Sequence, residues 1–115
     1  MGVFKERRRA RRELAGLHGT YLLAARSELG WHDCYLVDVS EYGAGARFRG
    51  PSPEPGDDLV IRVDVPGGTE SIRLQATVRH VRADFFGATR AGVEFTALAP
   101  DHREVLLCLL SGERV

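Results

Sequence analysis

Four stretches of this chain alternate apolar and polar side chains with a period of two, the signature of strands that bury one face. Ala44, Ala46 and Phe48 oppose Gly45, Arg47 and Arg49, and Leu59, Ile61, Val63 and Val65 oppose Val60, Arg62 and Asp64. Ile72, Leu74, Ala76 and Val78 oppose Ser71, Arg73, Gln75, Thr77 and Arg79. Ala91, Val93 and Phe95 oppose Gly92, Glu94 and Thr96. Two earlier segments, 20–29 and 31–39, alternate less cleanly but are rich in β-forming residues, with Gly30 as the turn between them. The breaks have their own chemistry. "PSPEPG" at 51–56 cannot continue a ladder because proline lacks the N–H donor, "PGG" at 66–68 suits a tight hairpin, and "DFFG" at 84–87 is a longer turn ending in glycine. Strands at short, regular spacing with little helix between them predict an antiparallel barrel or sandwich, and closure of the sheet would remove exposed edges.

The period changes at the C-terminal end. In "PDHREVLLCLL", Val105, Leu106, Leu109 and Leu110 fall on one helical face. Pro100 suits a first turn, and Asp101 and Glu104 favour the positive end of the helix dipole. So short a helix is marginal alone, and its leucine face must pack on the sheet.

Charge divides the chain. The formal net charge is zero, yet residues 1–12 hold six of the 16 Lys/Arg and one of the 16 Asp/Glu, leaving ten cations against fifteen acids in the remainder. A mildly acidic body thus carries a basic arm with few apolar anchors, expected to be flexible without an anionic counterpart. At 115 residues the chain reads as one domain: an arm at 1–12, a barrel at 19–97 and a helix at 100–111. No apolar run approaches the ~20 residues of a bilayer-crossing helix, and the basic N-terminus lacks the apolar stretch of a secretory signal. Cys34 and Cys108, in apolar surroundings, are expected to be reduced, and the compartment to be the cytoplasm.

Catalytic constellations are not indicated. His18, His32, His80 and His102 are scattered without metal-ligand spacing to a cysteine, so no metal or cofactor is expected. Cys34 follows His32 and Asp33, but adjacent strand residues point to opposite faces. Phosphate-cradling glycine loops and a nucleophile elbow are absent from the sequence.

What remains is a pair of motifs. RxxxR occurs twice in the arm, as Arg7/Arg11 and Arg8/Arg12, and "DVSEYGAGARF" at 38–48 gives DxSxxG as Asp38, Ser40 and Gly43. With "ATVRHV" at 76–81 and the closing Gly-Val-x-Phe of "AGVEFTALAPDHREVLLCLL" at 91–110, this order of motifs resembles the PilZ domain, a bacterial receptor module for cyclic di-GMP. The resemblance runs along nearly the whole chain. It implies an all-β fold, a six-stranded antiparallel barrel with an N-terminal basic arm and a C-terminal helix. It also implies a non-catalytic receptor that signals to a downstream protein, with cyclic di-GMP as ligand and neither a nucleic-acid partner nor membrane insertion. Under it, Arg8 and Arg12 form the arginine pair, Arg7 is the adjacent extra arginine, and Arg11 belongs to the alternative register. Asp38, Ser40 and Gly43 form the second half, and His80 falls where the family often places an aromatic that stacks on the ligand.

The chemistry of the residues agrees. An arginine fork matches both phosphate oxygens and the N7/O6 edge of guanine, and it can stack on the purine. Guanine's N1–H and N2–H need acceptors such as Asp38 and Ser40, and a glycine at 43 would allow close backbone approach. Two other readings remain at this stage: a small β-barrel that binds nucleic acid through the arm, and a nucleotide-independent adaptor. The acidic body lacks the interleaved basic and aromatic residues of a stacking platform, which weighs against the first.

Overall fold

The computed structural model describes residues 13–65, 67, 70–84 and 87–111. The alternating segments form six strands: β1 (Glu13–Leu23), β2 (His32–Val39), β3 (Gly43–Phe48), β4 (Asp58–Asp64), β5 (Ser71–Ala83) and β6 (Thr89–Leu98). They close into a barrel in the order β1-β2-β3-β6-β5-β4. Every neighbouring pair is antiparallel. The expected six-stranded antiparallel barrel is thus what the chain forms.

One segment departs from expectation. Residues 20–29, read as a single strand, divide at Leu23: β1 begins at Glu13, and Ala24–Leu29 is a short 3₁₀ segment with no buried residue. "AARSEL" offers no inward apolar face, so nothing holds it in the wall.

The interior is filled by the inward positions the alternation marked. Ile61, Val63, Ile72, Leu74, Ala76 and Val78 are at most 1% exposed. Across the barrel, the Tyr21 ring meets Phe48 edge-on, with centroids 4.7 Å apart. Its hydroxyl donates to the Pro51 carbonyl at 2.7 Å, so the buried phenol is satisfied. Burial pushes that phenol up to about 12. The helix α1 (Pro100–Ser111) covers the core with Leu106, while Val105 packs beside it. Leu109 and Leu110, assigned to the same face, lie outside the residues whose side chains are described. Two polar contacts fix α1: His102 Nδ1 is 3.2 Å from the Arg73 amide on β5, and Arg103 reaches Glu41 at 3.6 Å.

Candidate functional site

Strict alternation would aim both Asp38 and His80 inward. On β2, Cys34 and Leu36 face the core, and on β5 the series Ile72, Leu74, Ala76 and Val78 does. A register shift intervenes in each strand, between Leu36 and Asp38 against β3, and between Val78 and His80 against β6. An extra residue at a β-bulge reverses the parity beyond it. Val39 therefore returns to the core, Asp38 is left only partly buried, and His80 is exposed.

The two re-aimed residues terminate one row across the wall. Asp38 pairs with Gly45, Gly45 with Gly92, and Gly92 with His80, so the row crosses β2, β3, β6 and β5. The two central glycines add no side chains to this row, which leaves the space above them to its end residues. A Cβ at Gly45 would lie 3.0 Å from Asp38 Oδ2, and a Cβ at Gly92 would collide with the His80 ring. Asp38 and His80 thus lean over the two glycines from opposite ends. The Gly45 N–H donates to Asp38 Oδ1 at 3.1 Å, which fixes the carboxylate's rotamer.

Two residues further along the same outer face runs a second row. Tyr35 pairs with Arg47, Arg47 with Arg90 and Arg90 with Arg82. Arg47 Nε donates to Asp84 Oδ2 at 2.6 Å. Arg90 Nη2 lies 4.0 Å from Asp38 Oδ2, with side chains 28% and 17% exposed. Between the rows lies an open cleft of about 190 Å³ lined by Asp38, Gly45, His80, Arg82, Arg90, Ala91 and Gly92. It presents hydrogen-bond acceptors at one end, an imidazole at the other and guanidinium groups along one side. That arrangement suits a flat, polar, anionic ligand.

Of the residues singled out from sequence, Asp38 and His80 meet at this cleft. Ser40 and Gly43 do not line it. Ser40 follows the end of β2 and is 5% exposed. Its hydroxyl accepts from the Tyr42 and Gly43 amides at 3.2 and 3.3 Å, while its own amide donates to the Gly43 carbonyl at 2.8 Å. It staples the turn that carries Asp38 into β3. A Cβ at Gly43 would collide with the Val93 carbonyl, so its close approach is to β6. Arg7, Arg8, Arg11 and Arg12 lie outside the described residues.

Sequence reasoning did not find Gly45, Gly92, Arg82 or Arg90 as site residues. A signal existed, since glycine within an alternating strand marks a bulge or a close approach. The cross-strand register that brings the four together is not readable from the chain. Cys34 faces the core, where burial pushes its thiol up to about 12. Among the described residues, no three His, Cys, Asp or Glu side chains are grouped to hold a metal ion. Nor, among them, is any helix long and apolar enough to cross a membrane.

Comparisons with known proteins bear on the fold and the family. No curated protein matches the chain significantly. Among solved structures, the PilZ domain of Escherichia coli YcgR, with c-di-GMP, superposes with a TM-score of 0.69 at 20% identity, covering 92% of this chain and 90% of that one. The PilZ domain of CeSA from a cellulose-synthesizing bacterium gives 0.64 at 21% identity, covering 90% and 97%. The Bacillus subtilis inhibitor of motility, MotI/DgrA, gives 0.72 at 18% identity over 88% of this chain. This chain spans 48% of that protein's length. At these identities the likeness establishes the barrel. The family model for the PilZ domain matches residues 6–112, nearly the whole chain, and with the closed barrel and its terminal helix this places the protein in the PilZ domain family.

Proposed function

We propose that this protein is a non-catalytic cytoplasmic receptor for cyclic di-GMP. The observation that carries the reading is the Asp38 carboxylate, held opposite the His80 ring across two glycines with guanidinium groups beside it. A carboxylate offers about four lone-pair positions, and one that accepts from the Gly45 N–H is also the kind of group that accepts from the N1–H and N2–H of a guanine. Gly45 and Gly92 add no side chains of their own to the cleft, and a purine entering it would meet the His80 ring, which stands over Gly92 and can stack on it. Arg8 and Arg12 of the arm, with Arg7 adjacent and Arg11 in the other register, supply forks for the guanine N7/O6 edge and the phosphates. Ser40 and Gly43 act through the turn: they fix where Asp38 stands. Support from outside the chain comes from YcgR, whose PilZ domain shares the barrel and was solved with c-di-GMP.

Signalling to a downstream protein has a physical route. The turn that positions Asp38 is linked to β6, where the Phe95 N–H donates to the Tyr42 carbonyl at 2.8 Å, and to α1 through Glu41 and Arg103. Closure of the arm on bound ligand would present a changed surface beside that turn.

The test is calorimetric titration with cyclic di-GMP alongside GTP, GMP and a short single-stranded RNA. Selective binding at roughly micromolar strength, about −8 kcal/mol, is expected. GMP and GTP should compete poorly, since neither carries two linked guanines. Equal affinity for the RNA would replace this reading with non-specific nucleic-acid binding.

A further inference from the structure

We infer that Arg82 and Arg90 form a phosphate subsite on the barrel wall, separate from the arm and from both sequence motifs. The inference rests on the cyclic di-GMP reading and assigns the part of the ligand these two residues hold. Three arginines, Arg47, Arg90 and Arg82, stand directly opposite one another on β3, β6 and β5. Like charges in direct cross-strand opposition destabilise a sheet, so the row costs the free protein stability unless anions offset it.

Its own carboxylates offset it unevenly. Arg47 is held by Asp84 at 2.6 Å. Arg90 is 4.0 Å from Asp38, at the outer limit of an ion pair. Arg82 is exposed and, among the described residues, has neither a hydrogen-bond nor an ion-pair partner. The uncompensated charge is therefore concentrated at the β5–β6 end of the row, where Arg82 and Arg90 both line the cleft. Directly opposed side chains have Cβ atoms about 5 Å apart, so two such forks can converge on the oxygens of one phosphodiester. A purine in the cleft, with Asp38 at its Watson–Crick edge and the His80 ring against it, leaves its sugar and phosphate to pass along the side of the cleft. The arginine row is that side.

The experiment is titration of the full chain and its R82Q, R90Q, R82K and R90K variants with cyclic di-GMP at two salt concentrations. A companion titration uses a cyclic dinucleotide with methylphosphonate linkages, which keeps both guanines and removes the phosphate charge. Each Gln variant is expected to bind cyclic di-GMP about ten-fold more weakly, with a shallower salt dependence, and Lys to restore part of the loss. For the uncharged analogue the wild type and the Gln variants should bind alike. The ligand-free Gln variants should melt no lower than the wild type, because the row's repulsion is relieved. If the wild type binds cyclic di-GMP and the Gln variants bind it equally well, the subsite is wrong and the receptor reading stands. A Gln penalty that persists in full with the uncharged analogue also overturns the phosphate assignment. If the wild type does not bind cyclic di-GMP at all, the receptor reading fails and the subsite falls with it.

Discussion

The imidazole of His80, on β5, occupies the space that a side chain at Gly92, on β6, would fill. The two residues are cross-strand partners just beyond a bulge, so a glycine on one strand and a ring on the next act as a single structural unit. Replacing Gly92 by Ala should force the exposed ring into another position, a shift that a flexible side chain makes at a cost of about 0.5–1.5 kcal/mol. In an H80A background the same change should cost much less. Denaturant unfolding of the two single variants and the double variant measures that coupling, and additive costs would contradict the contact.

Asp38 serves the fold and the ligand with one carboxylate. D38A should weaken cyclic di-GMP binding by roughly ten- to a hundred-fold through the lost acceptor, and should lower stability by about 1–2 kcal/mol because the Gly45 N–H loses its partner. D38N keeps an oxygen for Gly45 and gives up the charge. It is expected to restore most of the stability while leaving binding impaired, as thermal melts paired with titrations would reveal.

Ser40 is expected to act through the turn. S40A removes the acceptor of the Tyr42 and Gly43 amides in a buried setting, at a cost of about 1–3 kcal/mol. Amide exchange should quicken at residues 40–43 in the ligand-free variant. A variant that loses affinity with unchanged stability and exchange would instead mean that the hydroxyl touches ligand.

Contrast between positions is the measure for the arm. Replacing Arg8 or Arg12 by Ala should cost about 1.5–3 kcal/mol of binding, with lysine rescuing only part of it. Replacing Lys5 or Arg9 should give a modest loss that disappears at high salt. Equal, salt-sensitive losses at all four positions would make the arm a non-specific electrostatic patch.

His18 gives the fold a pH dependence of known sign. On the arc formed by β4, β1 and β2, its Nδ1 lies 2.8 Å from Asp64 Oδ2 and its Nε2 lies 3.4 Å from Asp33 Oδ1. The hydrogen bond to Asp64 leads in raising the imidazole above its ordinary 6.5, with Asp33 adding and partial burial opposing. A folded value above the unfolded one stabilises fully below about pH 6.5, and that gain is lost as pH rises through the folded value. The gain is small, because the two side chains of the closer pair are 54% and 63% exposed. Thermal melts from pH 5 to 8 should show this slope, reduced in D64N.

The sequence by itself determined that the chain forms strands with one buried face. Ile61, Val63, Ile72, Leu74, Ala76 and Val78 recur every second residue, and that period fixes which side of each strand is buried. It likewise placed α1, because the apolar residues from Val105 onward fall on one helical face that needs a core to cover. The basic arm and the Asp38, Ser40 and Gly43 turn were legible as motifs, since they are local in the chain. Tertiary structure decided the rest. Alternation alone would turn Asp38 and His80 into the core, and only the bulges in β2 and β5 bring them outside. The pairings of Gly45 with Gly92 and of Arg90 with Arg82 join residues from three different strands. No local pattern encodes them, because the register is set by closing all six strands around one interior.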